Sequence, residues 1–180
     1  MRLLPLALAM LVWFLPLAAL AEGEAAAIVA ENREMIEKPS RQTIGPVIAA
    51  LAASGDPMAA VLLQAWANKG LGLRKADGAF FLIAPEGDGF TLTDLTGAPA
   101  GTAAKAEITE MKPNAGVRGL IATALVQFIL TDPDPARRAE ALTSIARDPA
   151  PEHLAPLRAA LAGETDPALA AQKARLERFL

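Results

Sequence analysis

The residues of this chain that could do chemistry are few, and their spacing limits what they could do. Glu86-Gly87-Asp88-Gly89, with Asp94 close behind, is an acidic stretch that could suggest calcium. A Ca²⁺ loop needs six or more oxygens, with acids at alternate positions and a bidentate Glu. Only Glu86 and Asp88 fit that spacing, so the stretch reads as a plain turn. His153 is the one histidine and sits beside Glu152 near a helix start. Zinc needs three or four ligands, and the chain has no cysteine and no second histidine, so His153 reads as a surface or capping residue. Glu107 and Glu110 lie three apart and read as solvated acids. No serine has a histidine base nearby in the pattern, and no Gly-rich loop matches a nucleotide fingerprint. The expectation is a protein that is not an enzyme, with no catalytic, cofactor or metal site.

Recognition is what remains. Arg74, Lys75, Asp77, Glu86 and Asp88 form the candidate partner-contact set. They lie on a strand and two turns, where open backbone groups and charges can meet a partner. The competing reading is that these charges only guard a sheet edge. Trp66 reads as core, and Arg137-Arg138 as a solvated helix face. The net charge of −3 gives no basic stripe for nucleic acid. The lack of cysteine excludes disulfides and thiol chemistry.

The elements that must position the contact set are unlike the rest of the chain. Gly70–Asp94 is rich in Gly, Phe, Leu and Thr, whereas its surroundings are rich in Ala and Leu. Asp77-Gly78 and Gly87-Asp88-Gly89 are reversal signals, because Gly and Asp tolerate positive φ. Between them Leu71–Lys75, Ala79–Ala84 and Phe90–Asp94 are strand-sized. These make an antiparallel meander of about three strands. Leu95–Ala104 has turn composition, and Lys105–Met111 is a weak further strand.

Around this insert the period is helical. Glu24–Glu37 predicts one helix, ended by Pro39. Arg41–Ser54 predicts a second, closed by Gly55. Asp56-Pro57 opens a third, with Asp as N-cap and Pro in the first turn, and Gly70 stops it. Asn114 or Ala115 begins a long helix to Leu130 whose wide apolar face makes it central. That run is only 12 residues in its apolar part, Gly119–Leu130, which suits a buried helix rather than a membrane span. Asp134-Pro135, Asp148-Pro149 and Asp166-Pro167 announce three shorter helices.

The Asp-Pro punctuation is a repeat signal. Ile48–Trp66 and Leu142–Leu161 both run helix, break, Asp-Pro, helix. That order predicts HEAT-like helical hairpins, each burying its face against its neighbours. The expected fold is therefore mainly α, HEAT-like, with a small antiparallel β-meander insert at about residues 70–111, in a single domain spanning 22–180. The last helix ends without a capping Gly, which suggests the front part of something longer.

Met1–Ala21 has the form of a secretory signal: Arg2, an apolar run from Leu3 to Leu17, Pro16, then Ala19-Leu20-Ala21 as cleavage site. Cleavage after Ala21 would remove one arginine and leave a net charge of 16 − 20 = −4. The expected address is across the cytoplasmic membrane, at the periplasmic face of the inner membrane.

A signal peptide, ALAASGDPMAAVLLQAWANKG, LGLRKADGAFFLIAPEGDGFTLTDLTG, an apolar helix, TDPDPARRAEAL and DPALAAQKARLE follow one another in that order. This order resembles the N-terminal extracytoplasmic region of the urea ABC transporter permease subunit, within the branched-chain amino acid permease family. The resemblance covers most of the chain after the leader, and Leu71–Gly97 is its most specific part. It implies a non-catalytic accessory domain of a urea-type ABC importer. The implied partners are a second permease subunit, ATP-binding subunits and a periplasmic urea-binding protein. Members of that family continue into a many-helix membrane domain, which these 180 residues do not contain. The alternative expectation is a stand-alone periplasmic helical-repeat scaffold.

Overall fold

A computed structural model describes residues 23–180. The expected leader, Met1–Ala21, lies outside the described residues. The chain folds as α1 (Glu24–Glu31), α2 (Arg33–Glu37), α3 (Gly45–Ala53) and α4 (Pro57–Ala67). A sheet follows: β1 (Leu71–Arg74), β2 (Phe80–Glu86), β3 (Gly89–Thr93), β4 (Pro99–Ala104), a 3-10 turn (Lys105–Glu107) and β5 (Ile108–Glu110). The chain returns to helices in α5 (Ala115–Leu130), α6 (Pro135–Arg147), a 3-10 turn (Pro151–His153), α7 (Leu154–Ala162) and α8 (Pro167–Phe179). The molecule is mostly helical with one small antiparallel sheet.

Local chemistry sets the helix starts. The carboxylates of Asp56, Asp134 and Asp166 each accept from N–H groups in the first turn that follows, and each is succeeded by Pro. Asn114 does the same for α5 through the Val117 N–H. Each such cap is worth about 1 kcal/mol over Ala. Asp148-Pro149 is different. Asp148 ends α6, and the next helical turn starts from Ala150, which has no capping side chain of its own. The sequential helices α3 and α4, α5 and α6, and α7 and α8 pack on one another and are each joined through a capping Asp-Pro, while α5 packs at least as closely on α3, α4 and α7. Ile48–Trp66 spans the packed helices α3 and α4, whereas Leu142–Leu161 spans α6 and α7, which do not pack as a pair in the same way.

Two further boundaries differ from the sequence reading. The helix expected over Glu24–Glu37 breaks at Asn32, whose side-chain amide and backbone N–H both donate to the Ile28 carbonyl. A side chain competing for a helical carbonyl favours termination there. At the end of α4 it is Lys69, not Gly70, that takes the left-handed conformation, with φ 64°. Gly70 N–H donates to Ala65 O at 2.7 Å and Lys69 N–H to Trp66 O at 3.0 Å, which is a Schellman closure.

The sheet has five strands in the order β4-β3-β2-β1-β5. Leu95–Ala104, expected as turn, contains β4, which pairs Phe90 with Ala103 and Thr91 with Thr102. Its small residues hide the alternation that marks a strand, and a register shift beside Gly101 (φ 86°) interrupts the ladder. In a flat sheet, β4 and β5 would lie four strand spacings apart, about 19 Å. The link from Ala104 to Ile108 spans at most about 14 Å. The sheet must therefore curl until its edges approach. Its inner face then buries itself: Phe81, Ile83, Phe90, Leu92 and Ile108 form a separate apolar cluster.

The outer face of the curl packs on helices. Leu71, Leu73, Phe80 and Leu82 join Ala25, Val29, Leu62, Leu63, Trp66 and Val117 in the main core. A second helical core gathers Leu130, Leu142, Ile145, Leu157, Ala160 and Leu169. Helix α5 reaches both cores, which gives the apolar breadth of its sequence a physical cause. No described helix is long and apolar enough to cross a membrane.

A candidate contact groove between the first helix and the sheet

A concavity of about 660 Å³ runs between α1 and the curled sheet. One wall is Ala26, Val29, Ala30 and Arg33; the other is Asp77–Phe81 and Asp94–Thr96. Amphipathic periodicity brings Ala26, Val29 and Ala30 to one side of α1, because positions three and four apart share a helix face. The β1–β2 hairpin forms the opposite wall through its own turn chemistry. Gly78 adopts φ 70°, its N–H donates to Arg74 O at 2.7 Å, and the Asp77 carboxylate accepts from Ala79 N–H at 3.1 Å. The positive φ favours glycine at position 78, and the Arg33 guanidinium packs directly over it.

Most charges around the groove are already matched. Arg33 Nε donates to Glu37 at 2.6 Å, and its guanidinium stands 5.9 Å from the Phe80 ring centre. Arg74 donates to both oxygens of Asp77 and stacks 4.4 Å from the centre of Phe81. The Arg74 hydrogen bond, then the Ala79 N–H, pull the Asp77 carboxyl down to about 2. Lys75 Nζ donates to Ala106 O at 2.7 Å, and its backbone N–H to Glu107 O, so it fastens β1 to the 3-10 turn.

The structure divides the five predicted contact residues into two sets. Arg74, Lys75 and Asp77 cluster at the β1–β2 hairpin. Glu86 and Asp88 lie at the β2–β3 turn, beyond the whole length of β2 and thus about 20 Å away. Both are exposed, and Glu86 accepts from the Thr91 hydroxyl at 2.6 Å. Gly87 adopts φ 54° in that turn. Of the five, only Asp77 lines the groove. His153 caps locally: its Nδ1 accepts from Ala150 N–H at 3.3 Å. Trp66 is a core residue, 1% exposed, and its indole N–H has no partner among the described residues.

Sequence reasoning missed one constellation. Lys173 on α8 is 1% exposed, and its Nζ donates to Leu130 O (2.8 Å), Ala160 O (3.1 Å) and Glu164 (2.7 Å). Arg138, expected as solvated, has a side chain only 12% exposed and makes a two-pronged pair with Glu164 at 2.9 and 3.0 Å. It also donates to Asp132 O and Pro133 O. Arg137 alone fits the solvated reading, at 70% exposed. Two cations against one carboxylate leave an excess positive charge. The carbonyl ends of α5 and α7 offset it, since each helix C-terminus carries about half a negative charge. Burial would raise the Glu164 carboxyl; hydrogen bonds from Lys173, the Asp166 N–H and Arg138 overcome it and hold it at about 2. A signal for this site existed: Lys173 lies on the Leu169–Leu176 stripe, where a cation is out of place.

No protein-family model, curated protein or solved structure matches this chain.

Proposed function

We propose that this chain is a non-catalytic extracytoplasmic accessory domain of a urea-type ABC importer permease, and that it engages another importer subunit through the groove between α1 and the β1–β2 hairpin. One observation carries the reading. Leu71–Gly97, the stretch in which the resemblance is most specific, supplies most of one wall of this groove, from Asp77–Phe81 and Asp94–Thr96. Grooves with apolar floors and a few fixed polar groups are where proteins bind other molecules. The three helical pairs joined by capping Asp-Pro support a HEAT-like stack behind it, since such pairs bury their faces only against one another. The partners named by the resemblance are the second permease subunit, the ATP-binding subunits and the periplasmic urea-binding protein. Of these, the periplasmic face of the second permease subunit and the urea-binding protein share the expected address.

Affinity purification of the tagged full protein from detergent-solubilised envelopes tests this. Recovery of the importer subunits is the expected result. Recovery of envelope-assembly proteins without any importer component would overturn the importer reading and make the chain a separate periplasmic scaffold.

A further inference from the structure

One charge on the groove rim is answered by nothing in the described chain. Asp77 is matched by Arg74, and Arg33 by Glu37. Asp94 forms no ion pair with any described Lys or Arg. Its Oδ1 accepts three hydrogen bonds: from the Thr96 N–H (2.9 Å), the Thr96 hydroxyl (2.6 Å) and the Ala98 N–H (2.9 Å). These bonds fix the carboxyl in place and hold its pKa below the ordinary range, the Thr96 hydroxyl contributing most. The second oxygen accepts no hydrogen bond from the described residues. Val29, Ala30, Phe80 and Leu95 line the same groove. The groove is thus an apolar trough with one rigid, uncompensated anion at its lip.

We propose that the groove's occupant is a protein segment that places one or two apolar side chains on Val29, Ala30 and Phe80 and a lysine or arginine on Asp94. The inference rests on the reading of the groove as the contact face and adds the chemistry of what enters it. An acidic segment would meet like-charge repulsion. A purely apolar segment would cover Asp94 without pairing it, and an unpaired buried charge is costly. A basic-apolar segment meets both demands. The matched pairs elsewhere on the rim leave Asp94 as the one charge that selects the sign of the partner.

The test uses the full chain in its native cells with a photo-crosslinking benzoylphenylalanine at the exposed rim residue Ala98. The adduct is mapped by mass spectrometry. The expected adduct lies on an apolar stretch with a Lys or Arg within about four residues, one helical turn. Asp94→Asn keeps the acceptor for Thr96 and Ala98 but removes the charge, and should lower the adduct yield about fivefold, as for an ion pair of modest strength. Asp94→Lys should abolish the adduct, and reversing the mapped partner cation to Glu should restore it. No adduct, an adduct on an acidic stretch, or a yield indifferent to Asp94→Asn would overturn the inference. An Asp94-dependent adduct on a protein outside the importer would keep this inference and overturn the importer reading; an importer adduct indifferent to Asp94 would do the reverse.

Discussion

Lys173 brings a full charge to a place where almost none of it meets water, and Glu164 is what makes that tolerable. Removing one member of a buried, hydrogen-bonded charge network leaves the others uncompensated, at a cost of about 3–5 kcal/mol. Glu164→Ala should therefore lower unfolding stability by about that amount in denaturant titration. The same site predicts a pH dependence. The folded-state carboxyl sits at about 2 against an ordinary 4.5, so its contribution is fully present above 4.5 and is lost as pH falls toward 2. Stability measured from pH 5 to pH 2 should fall more steeply in the wild type than in Glu164→Gln. Equal slopes would show that Glu164 is not held ionised in the fold. Lys69 offers the opposite case. A side chain at φ 64° is strained where glycine is not, and Lys69→Gly should stabilise by about 1 kcal/mol.

Elements show why part of this architecture was legible and part was not. Asp56, Asp134 and Asp166 announce helix starts because capping is local: the acceptor and the orphan N–H groups lie within three residues. The Asp77-Gly78 and Gly87-Asp88 turns were legible for the same reason. Strand β4 was not, since Ala, Gly and Thr alternate too weakly to mark faces, and its pairing to β3 is a tertiary fact. Arg138, Glu164 and Lys173 come from α6, the α7–α8 link and α8, so only the folded stack brings them together. Periodicity recorded the apolar stripe of α8 but not the cation within it. Asp56 shows how a local cap can also act at range, because its second oxygen accepts from Ala25 N–H at 2.9 Å and ties α1 to α4. Asp56→Ala should cost about 2 kcal/mol, the upper end for a cap. It should also speed hydrogen exchange at Ala25 and in the rest of α1. Loss of stability without faster exchange in α1 would separate the two roles.

At the scale of the molecule, a curled sheet is set against helical pairs so that its hairpin and α1 face each other across a groove. Gly78 sits at the turn of that hairpin with φ 70°. Gly78→Ala would force a strained φ, so it should destabilise by about 1–2 kcal/mol in denaturant titration, while the Arg33 guanidinium swings aside. The contact set expected from sequence spans two ends of the sheet, and of its members only Asp77 lines the groove. Partner binding should therefore tolerate Asp88→Lys at the distant turn. The most direct measurement compares recovery of importer subunits by the wild type and by Ala30→Trp, which fills the groove from an exposed position on α1. The account predicts at least about a tenfold loss of recovery with an unchanged thermal melt, as for blocking the centre of an interface. Equal recovery by the two proteins would contradict it.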